Sequence, residues 1–521
     1  MQKRQLIHLD SMPRPVRNLL IGLVLLAAAC SGSAQRAMEL AAQAQAQAQA
    51  GDLDSARATM AKAIAERDDI AQIYVAKGQL DLQAASFLEA YDAYTQALTL
   101  DATNNQALLA VAQLAMAMGR RQEALDAADR ILSLDPNQPD AKFVKGLVQL
   151  GNRRPEGVDT LAADILGTDP RDERGLVLKA RWLFFKGRAD EAIALLEANS
   201  DPAQRTDLVA RTLAELYRES GQAGPALVEL ARIDARQPDN LDGRIERADI
   251  LYKTARVAEA RILIGEVLAR KSVPPAIVGK ILLLWHAYDP DPFPKADLPK
   301  IPDDKARMAV ARFQLLQGRP DRALALLVGD RSGDAEALRL RIGMSTKPAA
   351  AIADRVETIL ATDKTQCDAL IARAGYRRVT GRTSDALGDA RRATAECPED
   401  VGAVLELAAI YRARDDLAGE FRAYDDGLDI DSQSLPISRT YFRRSIEAGD
   451  TGRARAVARR LTRSAPSLPP GWEMLIQACT TTREETCLEA ARSGLAKARA
   501  NLTLDPRPGE MLVGPLSKLA R

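Results

Sequence analysis

Residues 71–104 read AQIYVAKGQLDLQAASFLEAYDAYTQALTLDATN, and residues 105–138 read NQALLAVAQLAMAMGRRQEALDAADRILSLDPNQ. Each segment is 34 residues long and has a small residue in eighth place, Gly78 in the first and Ala112 in the second. Both also have an alanine in twentieth place. Two helices can cross closely only where side chains are small. Each segment is therefore predicted to form a pair of packed helices.

The same register extends over most of the chain. A glycine commonly separates the two predicted helices of a unit, and Asp-Pro or a similar pair commonly ends it. Glycine terminates one helix, and proline prevents the next turn from forming. Units begin without a gap at Ala37, Ala71, Asn105, Pro139, Glu173, Asp207 and Leu241, and the register returns with units at Cys367, Val401, Leu435 and Pro469.

These residues resemble the tetratricopeptide repeat family. The best match is residues 71–104, where Gly78, Ala90, Tyr94 and Ala97 occupy the small and aromatic places of the family pattern. The resemblance covers nearly all of the chain after residue 36. It implies an all-α fold, a right-handed α-solenoid of antiparallel helix pairs with about 12–14 units. It also implies that the first helix of each unit lines a concave groove that binds partners.

The register breaks once, near a cluster of prolines at residues 289–302. Prolines this dense exclude helix and favour an extended strut or a flexible joint. A terminal repeat must cover its open face, so the tail is predicted to be a cap. The predicted divisions are an amino-terminal block at 37–274, an irregular helix and joint at 275–303, degenerate repeats at 304–366, a carboxy-terminal block at 367–504 and a capping tail at 505–521.

The amino terminus has the pattern of a targeting segment. A basic start precedes an apolar run at residues 19–29, which suits a signal-peptide core and is short for a bilayer span. The sequence up to Cys30 resembles a bacterial lipobox, although the family prefers Leu or Val at the place of Ala27. It predicts a signal peptide at 1–29, lipidation of Cys30 and a tether at 30–36. The alternative is ordinary secretion with Cys30 unmodified.

Composition gives little support for an enzyme. The chain has 72 basic and 71 acidic residues, so its charge does not point to nucleic acid. Its two histidines are His8 and His286, and His8 lies in the predicted signal peptide. Histidine-based metal binding or catalysis would rest on one residue. We therefore expect no catalytic, metal or cofactor site.

The four remaining cysteines are predicted to form two disulfides. Cys367 begins the first helix of a unit and Cys397 ends the second, so antiparallel packing would bring them together. Cys479 and Cys487 flank the turn of another unit. Export makes oxidation possible. The alternative is four buried free thiols.

Two surfaces are candidate partner sites. An apolar stripe on first helices could receive a partner helix or strand, unless these residues are core between repeats. Unit 435–468 contains eight arginines and two acidic residues, and Arg439 and Arg443 are predicted to face the groove together. The alternative is a solvated basic face. The stripe consists of Leu109, Met116, Phe143, Leu147, Leu150, Val177 and Phe184.

Together these patterns predict a non-enzymatic protein-interaction scaffold in the bacterial cell envelope. We expect it to be lipid-anchored, to face the periplasm from the outer membrane, and to organise a machine for exopolysaccharide export, pilus assembly or outer-membrane assembly. The main alternative is a direct binder of an anionic glycan or lipid through the arginine-rich repeats. An enzyme with an unrecognised active site is a third class.

Overall fold

The computed structural model describes residues 14–84, 86–293 and 300–500, with side chains from Gly32 onward. All regular elements within these ranges are α-helices, connected mostly by short turns. The described chain divides into two compact units, of which unit 1 ends at Thr212 and unit 2 begins at Leu213. The boundary falls inside the eleventh helix.

The described residues of unit 1 form ten helices and the start of the eleventh. They are α1 (Arg14–Gln49), α2 (Leu53–Glu66), α3 (Ala71–Gln83), α4 (Phe87–Leu100), α5 (Asn105–Ala117), α6 (Arg121–Leu134), α7 (Pro139–Gly151), α8 (Val158–Thr168), α9 (Glu173–Phe185), α10 (Ala189–Ala198) and α11 (Asp207–Glu219).

Unit 2 continues from α11 through sixteen further helices in the described range. They are α12 (Ala223–Arg236), α13 (Leu241–Lys253), α14 (Val257–Leu268), α15 (Pro275–Tyr288), α16 (Asp304–Leu316), α17 (Pro320–Leu326), α18 (Gly333–Thr346), α19 (Ala350–Thr362), α20 (Cys367–Val379), α21 (Thr383–Glu396), α22 (Val401–Ala413), α23 (Leu417–Ile430), α24 (Leu435–Glu447), α25 (Thr451–Ser464), α26 (Pro469–Thr482) and α27 (Glu485–Ala500).

The first helices of the repeats begin where the 34-residue register predicts. Helix α3 begins at Ala71 and α5 at Asn105, and the agreement holds at every predicted unit start from Ala71 to Pro469. Within a unit the first helix packs against the second and against the first helix of the next unit, as α5 does with α6 and α7. The chain is therefore an α-solenoid of helix pairs, as expected.

The small residues in eighth and twentieth place are where paired helices touch. Ala112 and Ala124 have no exposed surface. A methyl group built on Gly78 would lie 2.6 Å from the ring of Tyr94 in the paired helix α4. One built on Gly146 of α7 would lie 2.6 Å from Leu178 of α9, the first helix of the next unit. The helices can therefore pack this closely only because the residues at these crossings have small side chains or none.

Helix α1 runs without interruption from Arg14 to Gln49, through the predicted tether at 30–36 and into the first repeat. Ala37 and Ala44 on this helix are fully buried, and Arg36 lies 3.0 Å from Glu66 of α2. The tether segment is thus helical here, in keeping with the helix-forming residues around it. The predicted signal peptide lies partly outside the described residues, as does the side chain of Cys30.

The described ends of the predicted joint, residues 289–293 and 300–303, are non-helical and make specific contacts with neighbouring helices. Asp289 accepts hydrogen bonds from Arg261 at 2.7 and 2.8 Å, and Phe293 packs edge-on against Trp285. At the other end Asp303 caps α16 and also accepts from the backbone of Val273. Residues 294–299 and the predicted capping tail at 505–521 lie outside the described residues.

Both predicted disulfides are present in unit 2. Cys367 at the start of α20 is bonded to Cys397 at the end of α21, with Cα atoms 6.3 Å apart. Cys479 near the end of α26 is bonded to Cys487 in α27, with Cα atoms 5.7 Å apart. The predicted pairing is confirmed, and each bond closes one helix hairpin.

Replacing Gly78 with alanine should test the packing rule. The new methyl group would press on the buried Tyr94 ring, so we expect Gly78→Ala to cost about 1–3 kcal/mol. Gly265→Ala in α14 is the control, because no atom lies within 4 Å of the new methyl group. There, better helix propensity should add up to ~1 kcal/mol. Thermal melting followed by circular dichroism separates the two, and equal shifts in the same direction would contradict the rule.

Removing a disulfide should destabilise only the oxidised protein. We expect the double change Cys479→Ser and Cys487→Ser to lower the free energy of unfolding by ~3 kcal/mol, because the unfolded chain regains freedom. In dithiothreitol the variant and the wild-type chain should melt alike. Non-reducing peptide mapping should recover Cys367–Cys397 and Cys479–Cys487, and cross-paired peptides would be inconsistent with the helix hairpins.

Candidate functional site

The predicted apolar stripe is mostly core. Four of its seven residues are at most 6% exposed, because successive first helices pack directly on one another and enclose them. For these four the stripe prediction is wrong, and the alternative of core between repeats is correct. The buried residues are Met116, Leu147, Leu150 and Val177, and the partly exposed ones are Leu109, Phe143 and Phe184.

Both arginines of the predicted basic groove contact other groups of this chain. Arg439 Nη1 donates to the backbone oxygen of His286, in the last turn of α15, at 2.8 Å. Arg443 is exposed and lies 3.8 Å from Glu447 on its own helix. The two arginines therefore do not act as a pair, because α15 packs against α24 and meets Arg439 alone.

The arginine excess of unit 435–468 is balanced mainly by acidic residues of neighbouring repeats. Arg444 binds Glu420, Arg455 binds Glu484, and Arg460 lies 2.6 Å from Asp429. Counting charges inside one unit missed these partners because they lie about one repeat away in sequence. The expectation of a strongly basic patch is corrected to a largely neutralised surface, on which Arg459 and Arg463 remain exposed.

Unit 2 contains an open cavity of about 750 Å³, which we call the joint cavity. Helices α15 and α16 form one wall, and the amino-terminal ends of α20, α22 and α24 form the other. The first wall is mainly apolar and the second mainly polar. The Cys367–Cys397 disulfide lies on the polar wall. The cavity exists because α15, which has no partner helix of its own, packs against α13, α16 and α24.

A partly buried cluster of four charges supports the polar wall. Asp368 accepts from Arg312 and from Arg341, both at 2.6 Å. Asp400 lies 3.1 Å from Arg341 and 3.7 Å from Arg312. Asp368 has no exposed surface, so its charge depends on these two arginines. The cluster is neutral overall and joins α16, α18, α20 and the turn before α22.

Asp400 has a second role as the cap of α22. Its Oδ1 accepts from the backbone of Gly402 at 2.7 Å. Burial alone would raise the pKa of this carboxyl, but the charges of Arg341 and Arg312 outweigh burial and hold the pKa below its usual value. A side chain at Gly402 would collide with the guanidinium of Arg341. This glycine therefore leaves the space that lets the cluster form.

His286 lines the joint cavity but is set up as a neutral structural residue. Its Nδ1 lies 2.9 Å from Nε2 of Gln317, and its ring packs edge-on against Phe313. Because an amide nitrogen can only donate, Nδ1 must accept and the proton lies on Nε2. Burial, with the nearby charge of Arg439, lowers the pKa of His286 to about 4.

Two further features, a metal site and a membrane-spanning helix, were sought among the described residues. No group of three or more His, Cys, Asp or Glu residues there is arranged to hold a metal ion. Among the described helices, none is both long enough and apolar enough to cross a bilayer.

Sequence reasoning did not find the joint cavity. Only two residues at its polar wall could have been recognised from the local sequence. Gln366 and Asp400 stand immediately before predicted helices and act as their caps. The rest depends on long-range contacts. Arg312 and Asp368 are 56 residues apart, and Arg439 and His286 are 153 residues apart.

Stability should fall as His286 is forced to take up a proton. The pKa of an unfolded histidine is about 6.5, above the value of about 4 in the fold, so the unfolded chain binds the proton first as pH falls. This contribution is complete above pH 6.5 and is lost between pH 6.5 and 4. We expect the wild-type chain to lose roughly 2–3 kcal/mol more than His286→Asn between pH 7 and 4.5. Urea unfolding at both pH values measures the difference, and parallel losses would contradict a buried neutral histidine.

Comparison with known proteins gives one family match and several structural likenesses. Residues 109–157 match the family model described as "Tetratricopeptide repeat". A search of curated protein sequences found no match. Among solved structures, a tetratricopeptide repeat protein from Parabacteroides merdae is 16% identical, with a TM-score of 0.34, over 60% of this chain and 99% of that one.

Two further structures are similar over shorter stretches. A thermophilic TPR protein of Thermus thermophilus is 22% identical with a TM-score of 0.31, over 35% of this chain and 98% of that one. PilF of Pseudomonas aeruginosa is 15% identical with a TM-score of 0.30, over 41% of this chain and 96% of that one. All three TM-scores are below 0.5, so these likenesses are limited. The match to the tetratricopeptide repeat family covers residues 109–157, and the 34-residue register of helix pairs continues on both sides of that segment.

Proposed function

We propose that this chain is a non-enzymatic scaffold for protein–protein interaction in the bacterial cell envelope, anchored by a lipid on Cys30. The observation that carries the scaffold role is the repeat stack. The small residues that recur every 34 residues pack the helices against one another, and the buried charged groups join successive repeats. His286, the one histidine outside the predicted signal peptide, is held neutral by burial and by Gln317. On this proposal the protein acts by binding partner proteins on its surface.

Two observations support the envelope location. The sequence before Cys30 has the basic start, apolar run and small residues of a lipoprotein signal. The two hairpin disulfides fit an oxidising compartment, since cytoplasmic proteins rarely keep structural disulfides. Ser31 after the cysteine resembles the signal for sorting to the outer membrane. On this proposal the repeats face the periplasm and organise an export or assembly machine.

The glycan-binding alternative receives less support. Five of the eight arginines in 435–468 lie within 4 Å of a carboxylate, and Arg439 donates to a backbone oxygen. An anionic polysaccharide would have to compete with these internal partners. Affinity purification of the chain from detergent-solubilised envelopes distinguishes the two functions. A scaffold should bring down a stoichiometric protein, whereas a glycan binder should not, and purification of the chain alone would contradict the scaffold.

The lipid anchor predicts a specific effect of Cys30→Ser. We expect the wild-type protein to incorporate a labelled fatty acid and to sediment with membranes. The serine variant should lose the label and move to the soluble periplasmic fraction, because the thioether cannot form. Ser31→Ala keeps the cysteine and serves as the control, which should remain lipidated. A wild-type chain that stays soluble with Cys30 unmodified would show ordinary secretion instead.

A further inference from the structure

We propose that the Cys367–Cys397 disulfide is a site of reversible thiol–disulfide exchange, which a dithiol reductant opens while the protein stays folded. The Cys479–Cys487 disulfide is by contrast a permanent structural bond. Each bond joins the two helices of one hairpin, so the difference lies in the surroundings of the sulfur atoms. This inference goes beyond the scaffold function and does not depend on it.

The two bonds differ in their access to solvent. Cys479 is fully buried and Cys487 is 8% exposed, so a reductant gains full access to their bond only when the α26–α27 hairpin opens locally. Cys367 and Cys397 are each partly exposed and line the open joint cavity. Thiol–disulfide exchange requires direct attack of a thiolate on a sulfur atom, and its rate therefore depends on access. The Cys367–Cys397 bond meets this requirement in the folded protein.

The position of Cys367 favours breaking of this bond. Cys367 is the first residue of α20, and a thiolate is stabilised at the amino-terminal end of a helix. The adjacent charge of Asp368 is compensated by Arg312 and Arg341. Cys397 follows the carboxy-terminal end of α21, where the helix dipole disfavours negative charge. Attack on the Cys397 sulfur with Cys367 as the leaving group is therefore the favoured direction, because a more stable thiolate leaves faster.

The exchange is balanced when the reductant is a dithiol. One thiolate of the reductant attacks the Cys397 sulfur, a mixed disulfide forms, and the Cys367 sulfur leaves as a thiolate. The second thiolate of the reductant then attacks the reductant's own sulfur in the mixed disulfide and releases Cys397. Two electrons have passed to the protein sulfurs, the two protons of the dithiol end on Cys367 and Cys397, and the reductant has become a disulfide.

An ion-pair bridge keeps the two cysteines close after the bond opens. Arg341 is only 6% exposed and donates to Asp368, the residue after Cys367, at 2.6 Å. It also donates to Asp400 at 3.1 Å. Asp400 is tied to the other cysteine, because its backbone N–H donates to the backbone oxygen of Cys397 at 3.0 Å. Arg341 therefore links the same two chain segments as the disulfide, so the reduced hairpin stays folded and the bond can form again.

The test is limited reduction of the purified full-length chain in detergent, without denaturant. The protein is treated with dilute dithiothreitol, free thiols are alkylated with iodoacetamide over time, and peptide mapping identifies the labelled cysteines. We expect the Cys367–Cys397 pair to be labelled at least about tenfold faster than the Cys479–Cys487 pair, because the buried bond waits for local opening. Circular dichroism should show unchanged helix content at that stage. Equal labelling of the two pairs, loss of helix content, or labelling of neither pair before urea unfolds the chain would overturn the proposal.

Arg341→Lys tests whether the ion-pair bridge makes the exchange reversible. After selective reduction and removal of dithiothreitol, we expect the variant to re-form the Cys367–Cys397 bond with oxidised glutathione roughly fivefold more slowly than the wild type, because lysine lacks the fork that reaches both aspartates. Arg378→Lys is the matched control, since Arg378 joins α20 to Glu406 of α22 at the opposite end of α20. It should re-form the bond at the wild-type rate. An unchanged rate in Arg341→Lys, or the same delay in Arg378→Lys, would contradict the bridge, and the labelling experiment on the wild-type chain stands even if Arg341→Lys melts early.

Discussion

Close contact between the two helices of each repeat is the constraint on which the rest of this structure depends. Where Gly78 of α3 meets Tyr94 of its paired helix α4, there is no space for even one more methyl group, and the same is true between repeats where Gly146 of α7 meets Leu178 of α9. The same small residues return every 34 residues, so each helix pair presents nearly the same surface to the next and the pairs stack. Every later feature, including the disulfides and the joint cavity, is built on helix ends whose positions this stacking determines.

The break in the 34-residue register is the reason that unit 2 contains the joint cavity. Helix α15 has no partner helix, so its apolar surface is shared among α13, α16 and α24. Trp285 on this helix is almost completely buried between Phe293 and Phe313. Because α15 is held between the helices on either side of it, one of its faces is left to line a cavity. A regular array would have covered that face with another repeat.

Local signals in the sequence determined much of the architecture. Glycine, proline and the spacing of small residues predicted the first residue of the first helix in the regular units from Ala71 to Pro469, and opposed helix ends predicted both disulfides. These features depend on residues within one hairpin. The sequence could not show which charges compensate each other, since Arg455 finds Glu484 and Arg460 finds Asp429 about one repeat away. Nor could it separate groove from core at Leu147 and Val177, where an apolar residue suits both environments.

The position of the two disulfides has a mechanical consequence. Both bonds close single hairpins, with sequence separations of 30 and 8 residues, and neither joins one repeat to the next. The interfaces between successive repeats in this half of the chain are therefore held by packing, hydrogen bonds and ion pairs. Under tension along the array these contacts would open before any covalent bond bears load. Each disulfide would keep its own hairpin closed, so α20–α21 and α26–α27 would separate from their neighbours as intact hairpins.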